Sequence, residues 1–122
     1  MNENEMTEEM LEEERERKNK PVGKYAAYRE NYLRETKPEY YAELIKSDEI
    51  IEHLWSVVDR ANALKERIME QQKAASEEWQ EICETDAFIE KVRLLRQFEM
   101  VADEVVCSEI LYVWWRDRLW KI

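Results

Sequence analysis

Apolar residues recur at steps of three and four along most of this chain, the spacing of one face of a helix. The longest such series is Ile51, Leu54, Val58, Ala61, Leu64, Ile68, Gln72, Ala75, Trp79 and Ile82, with a step of about 3.5 residues. It predicts one helix of about 37 residues, about 55 Å long, over Ser47–Cys83. Ser47 suits the N-cap, and Asp48 and Glu49 suit the positive end of the helix dipole. Gln72 interrupts the stripe. Lys73–Glu78 is its weakest stretch, where a kink fits.

A second stripe runs through Phe88, Val92, Leu95, Met100, Ala102, Val105, Val106, Ile110 and Val113, with Thr85 or Asp86 as its cap. The break between the two stripes is only Glu84-Thr85-Asp86, so the helices should lie antiparallel. Equal rise along both then sets level residues whose numbers sum to about 168. Trp79 should face Ile89, Ile68 should face Met100, Ala61 should face Cys107 and Val58 should face Ile110. Before these come two shorter pieces. Tyr25, Tyr28, Tyr32 and Leu33 share a face of a helix over Lys24–Thr36, which Lys37-Pro38 ends. Pro38 opens the next, whose apolar side is Tyr40, Tyr41, Leu44 and Ile45. The expected fold is all-α, a helical bundle: a long antiparallel helical hairpin plus two short N-terminal helices. Residues 1–20 read as an acidic arm, frayed or disordered, with too little apolar surface to offset ordering. Residues 21–122 read as a single helical domain.

Composition agrees with helices and narrows the partners. One glycine and two prolines among 122 residues disfavour an all-β or doubly wound fold. The formal charge is −10. Met1–Lys20 and Ser47–Cys83 carry most of it, while Pro21–Lys46 is slightly basic. Such a balance disfavours direct binding to nucleic acid or to an anionic membrane and favours basic partners or simple solubility. No apolar run approaches the roughly 18 residues of a membrane span, and the acidic N-terminus is unlike a signal peptide. Cys83 and Cys107 sit within the stripes, as small buried thiols of a reducing compartment. The expected location is the cytoplasm.

Pro21-Val22-Gly23-Lys24-Tyr25, Tyr32-Leu33, Pro38, Tyr41, Leu44, Ser47 and Glu52-His53-Leu54, in that order, resemble the opening of the TnpV family. Phe88 through Val92, Ala102 through Val106, and Glu109-Ile110-Leu111-Tyr112 are similar to its second half. The resemblance spans roughly residues 21–112 and leaves the acidic arm and the tail from Val113 outside it. Ala26 stands where the family often has glycine. The resemblance implies a small protein encoded by transposons and related mobile elements of Gram-positive bacteria. It carries over no catalytic residue.

Candidate chemistry is sparse. His53, the only histidine, lacks spaced partners for acid–base work or metal ligation, and a hydrogen-bonded histidine packed on the short helices is the better reading. Cys83 lies near a helix C-terminus, which raises a thiol pKa rather than lowering it. No cofactor, metal site or catalytic residue is expected, and the chain reads as a non-enzymatic protein. Carboxylates along the long helix, among them Asp59, Glu66, Glu70 and Glu77, suggest a rod that imitates a phosphate backbone and enters a basic channel. Arg60, Lys65, Arg67 and Lys73 interrupt that side. The tail supplies Trp115, Arg116 and Trp120, residue types that anchor interfaces. The mobile-element context adds an analogy to small acidic proteins that disable host nucleic-acid enzymes, CRISPR effectors included. The reading is an acidic inhibitor of a basic, nucleic-acid-handling host protein. The alternative is a structural accessory subunit of a transposition or excision complex. The far end near Trp79 and Phe88 has no cover within the chain and is the place for a partner or a second copy.

Overall fold

The computed structural model describes residues 17–113, and every regular element among them is helical. They are α1 (Lys24–Thr36), α2 (Pro38–Lys46), α3 (Ile50–Ala75), α4 (Glu77–Cys83), α5 (Phe88–Val106) and a π turn (Cys107–Leu111). The chain divides into two compact units between Asp59 and Arg60, within α3.

In the first unit the only glycine does necessary work. Gly23 precedes α1 with φ 127° and ψ 174°, a backbone region that residues with a Cβ rarely adopt. Its carbonyl accepts from the Ala27 N–H at 3.2 Å. Pro38 stands at the start of α2, where its missing N–H costs nothing. Leu33, Leu44, Ile50 and Leu54 form the buried core, with Tyr32, Tyr40, Tyr41 and Ile51 packed against it. The buried face of α1 is Tyr25, Ala26, Arg29 and Leu33. Tyr28, expected on that face, is exposed. It precedes Arg29 by one position, and neighbours on a helix diverge by about 100°.

Ser47 does not cap α3. It ends α2, and its N–H donates to the Glu43 carbonyl. Asp48 follows with φ 61°. The Glu49 N–H reaches back to Leu44 at 2.8 Å and the Asp48 N–H to Ile45 at 3.2 Å. These two bonds are the Schellman pattern that closes a helix C-terminus, with Asp48 where glycine is usual. The missing glycine hid the stop signal.

In the second unit the predicted long helix breaks at Ser76. That residue is extended (φ −100°, ψ 110°), and its hydroxyl accepts from the Trp79 N–H, so it caps α4. The break falls in the weak stretch noted above. Lys65 pairs with Glu99 at 3.1 Å and with Asp103 at 3.9 Å. The Gln72 amide donates to the Phe98 carbonyl at 2.8 Å, and Arg93 reaches Glu78 at 3.3 Å. Contacts that climb from residue 65 to 78 on one side descend from 103 to 93 on the other, the order of antiparallel neighbours. Gln72 therefore spends its side chain on backbone, which explains a polar residue in the stripe.

The stripe of α5 keeps the expected Ala102 and Val106 but is otherwise displaced. Its buried residues are Leu94, Phe98, Ala102 and Val106, in strict steps of four. Met100 is 72% exposed and so is no core partner for Ile68. Phe98 and Met100 point about 160° apart on a helix, and a step of 3.5 slid past the first onto the second. Ile89 is also exposed. Trp79 sets its edge against Phe98 instead, with ring centroids 6.0 Å apart. Neither Thr85 nor Asp86 caps α5, whose N-cap is Ala87. The Thr85 hydroxyl donates to the Ile82 carbonyl at 2.8 Å and accepts from the Ala87 N–H at 3.3 Å, bracing the turn.

Candidate interaction surfaces

His53 is buried, and its Nε2 accepts from Arg29 Nε at 3.3 Å. Position 29 lies four residues after Tyr25 and four before Leu33, so α1 turns the guanidinium inward with its core face. Arg29 is fully buried, stacks over Tyr32 at 5.3 Å, and has its pKa lowered by burial to about 10. It stays charged at neutral pH. Burial, and then the Arg29 charge, push His53 down to about 3. Tyr40 meets its ring edge-on at 6.0 Å. At neutral pH this histidine is uncharged and its Nε2 is occupied, which suits a core polar pair. The periodicity Tyr25, Arg29, Leu33 was the signal that could have revealed the arginine.

The segment before α1 is held by side chains of the same unit. Arg17 lies over Trp55 at 5.0 Å and pairs with Asp59 at 3.1 Å. The Trp55 indole N–H donates to the Asn19 carbonyl at 2.8 Å. Lys20 pairs with Glu30 at 2.7 Å. Burial alone would raise the Glu30 carboxyl, but hydrogen bonds from Lys20 and Tyr41 outweigh it and hold the pKa below the usual range.

The predicted contact residues are thus distributed unevenly. Asp59 belongs to the first unit and is engaged by Arg17. Glu66 and Glu70 lie about one turn apart on α3 and are exposed. Glu70 has Lys73 beside it at 3.4 Å. Glu77 is exposed in the first turn of α4, beyond the break at Ser76. Trp115, Arg116 and Trp120, like Trp114 and most of the acidic arm, lie outside the described residues. Cys83, expected to be buried, is exposed at the end of α4, and Cys107 is half-buried. Among the described residues no cluster of His, Cys, Asp or Glu could hold a metal ion, and no helix is long and apolar enough to cross a membrane.

The turn between α4 and α5 is the end where the sequence predicted a lack of cover. Phe88 and Ile89, the first two residues of α5, are 74% and 77% exposed. Glu77, Glu78, Glu81, Glu84, Asp86 and Glu90 surround them in sequence, all exposed, with no Lys or Arg from 77 to 90.

The described residues form an all-α chain whose one histidine sits in a buried polar pair and whose exposed apolar residues are flanked by acids. It belongs to the TnpV family: the model of the transposon-encoded protein TnpV matches residues 2–111. The match includes the acidic arm, which the resemblance read from motifs had left outside. No curated protein and no solved structure matches the chain.

Proposed function

We propose that this transposon-encoded protein works in the cytoplasm by binding another protein, without turning over a substrate. Its target is a basic, nucleic-acid-handling protein of the host, and it acts as an acidic inhibitor, like a DNA mimic or an anti-CRISPR protein. The observation that carries this reading is the set of exposed carboxylates on the second unit, Glu66, Glu70 and Glu77 foremost. Exposed carboxylates on neighbouring helices attract Lys and Arg over a Debye length, about 8 Å at physiological salt, and repel nucleic acid. The withdrawal of His53 into the core supports a non-enzymatic role.

The second reading is an accessory subunit of a transposition or excision complex. Exposed Phe88, Ile89, Met100 and Val101 favour it, because apolar surface on α5 suits a transposase helix. Capture from a nuclease-treated host lysate separates the two, followed by nucleic-acid binding assays on each retained protein. A retained host enzyme that loses its nucleic-acid binding in the presence of this chain supports inhibition. Retention of the element's own recombinase, with its DNA binding intact, contradicts inhibition and supports the accessory role. Glu66→Lys with Glu70→Lys should abolish the first interaction and leave the second.

A further inference from the structure

We infer that the turn joining α4 to α5 is the docking point of this protein, and that its occupant is a basic segment of the partner bearing large apolar side chains. The inference rests on the proposal of a basic partner and adds where it is gripped and what the gripping segment must contain.

Phe88 and Ile89 bury little of their surface in the fold. They occupy the first two helical positions of α5 after the N-cap Ala87, and about three quarters of each is in solvent. A hydrophobic staple would explain an apolar residue at a helix start, but it joins the positions that are here Asp86 and Lys91. The core of α5 begins later, at Leu94. An adjacent aromatic and β-branched pair kept in water is the composition of an interface anchor.

The surrounding charge selects the occupant. From Glu77 to Glu90 there are six carboxylates and no base. The nearest bases are Lys73, which pairs with Glu70 at 3.4 Å and lies over the Trp79 ring at 5.5 Å, Lys91, half-buried, and Arg93, which is engaged by Glu78 at 3.3 Å. A second copy would bring two such rims together, and like charges across an interface oppose association. Nucleic acid carries the same sign. A purely basic segment would leave Phe88 and Ile89 in water. A segment with both Lys or Arg and large apolar residues satisfies the rim and the pair together.

Isotope-labelled full-length chain, titrated with three synthetic peptides of equal length, tests this. One alternates Lys with Leu, one Lys with Ser, and one Glu with Leu. The Lys/Leu peptide should move the amide signals of residues 84–90 most. The double variant Phe88→Ser, Ile89→Ser should bind it about tenfold more weakly or worse, with unchanged helix content by circular dichroism. The Lys/Ser peptide should bind about tenfold more weakly than Lys/Leu and should not distinguish the variant from the parent. Lys/Leu binding that the double variant retains, or signal changes centred on Glu66 and Glu70, would overturn the docking point while leaving a basic partner standing. Indifference to both basic peptides at low salt would remove the basic partner itself. Tighter binding of Glu/Leu than of Lys/Leu, or a dimer in sedimentation that the double variant loses, would also overturn the inference.

Discussion

The two units on either side of Asp59 and Arg60 use their apolar residues differently. In the first, Leu33, Leu44, Ile50 and Leu54 close a core with half-buried tyrosines packed against it, and Arg29 and His53 are buried beside one another. In the second, Ala61, Leu64, Leu94, Phe98, Ala102, Val106 and Leu111 are buried, while Phe88, Ile89 and Met100 face solvent and α4 buries none of its residues. The first unit invests its unusual residues in packing. The second leaves them outside, where recognition can use them.

The contrast is sharpest in truncation. Leu33→Ala should lose about 2–5 kcal/mol through lost transfer and cavity formation, whereas Phe88→Ala should stay within about 0.5 kcal/mol, both read by denaturant unfolding. Equal losses would erase the distinction between the units.

The buried polar pair predicts an acid dependence. His53 has a folded pKa of about 3 against an ordinary 6.5, so between those values the unfolded chain binds a proton that the folded chain does not. Stability should therefore fall as pH drops from about 6.5 toward about 3, by about 1.4 kcal/mol per unit, and this contribution should level off below. His53→Gln keeps an acceptor for Arg29 and removes that proton. Its unfolding free energy should have a shallower slope in this window, with the Glu30 contribution common to both proteins. An unchanged slope would place the histidine in contact with water.

Backbone substitutions give smaller effects of opposite sign. Gly23→Ala should cost about 1–3 kcal/mol because φ is 127° there, although a Cβ would meet open space. Asp48→Gly should stabilise by about 0.5–1 kcal/mol by relieving a left-handed non-glycine residue. Thermal melts of the two variants should move in opposite directions. As small as the Phe88 truncation, Lys65→Met should cost about 0.5 kcal/mol despite two carboxylate partners, since partly exposed pairs contribute little.

Periodicity and proline chemistry made much of this fold legible. The ends of α1 at Lys24 and Thr36 and the start of α2 at Pro38 follow directly from the sequence. Misreadings arose where one signal has two meanings. Ser47 resembles an N-cap but precedes a left-handed Asp48 that performs the office of glycine. A step of 3.5 fits both Phe98 and Met100 over a short run, and only burial distinguishes them. Arg29 was hidden because arginine is read as surface by default, although its spacing from Tyr25 and Leu33 places it inward. The acids of the candidate surface were visible as charge. Which of them is engaged, as Asp59 is by Arg17 and Glu70 by Lys73, depends on side chains brought together by the fold.

The most direct test of the central claim is the salt dependence of binding between this chain and the host protein it retains, measured for the parent and for Glu66→Lys with Glu70→Lys. Steered recognition of a basic surface predicts an affinity that falls by about tenfold or more between about 0.05 and 0.5 M salt and is lost on charge reversal. Binding that ignores salt and survives the reversal would contradict it and would leave apolar docking as the function of this surface.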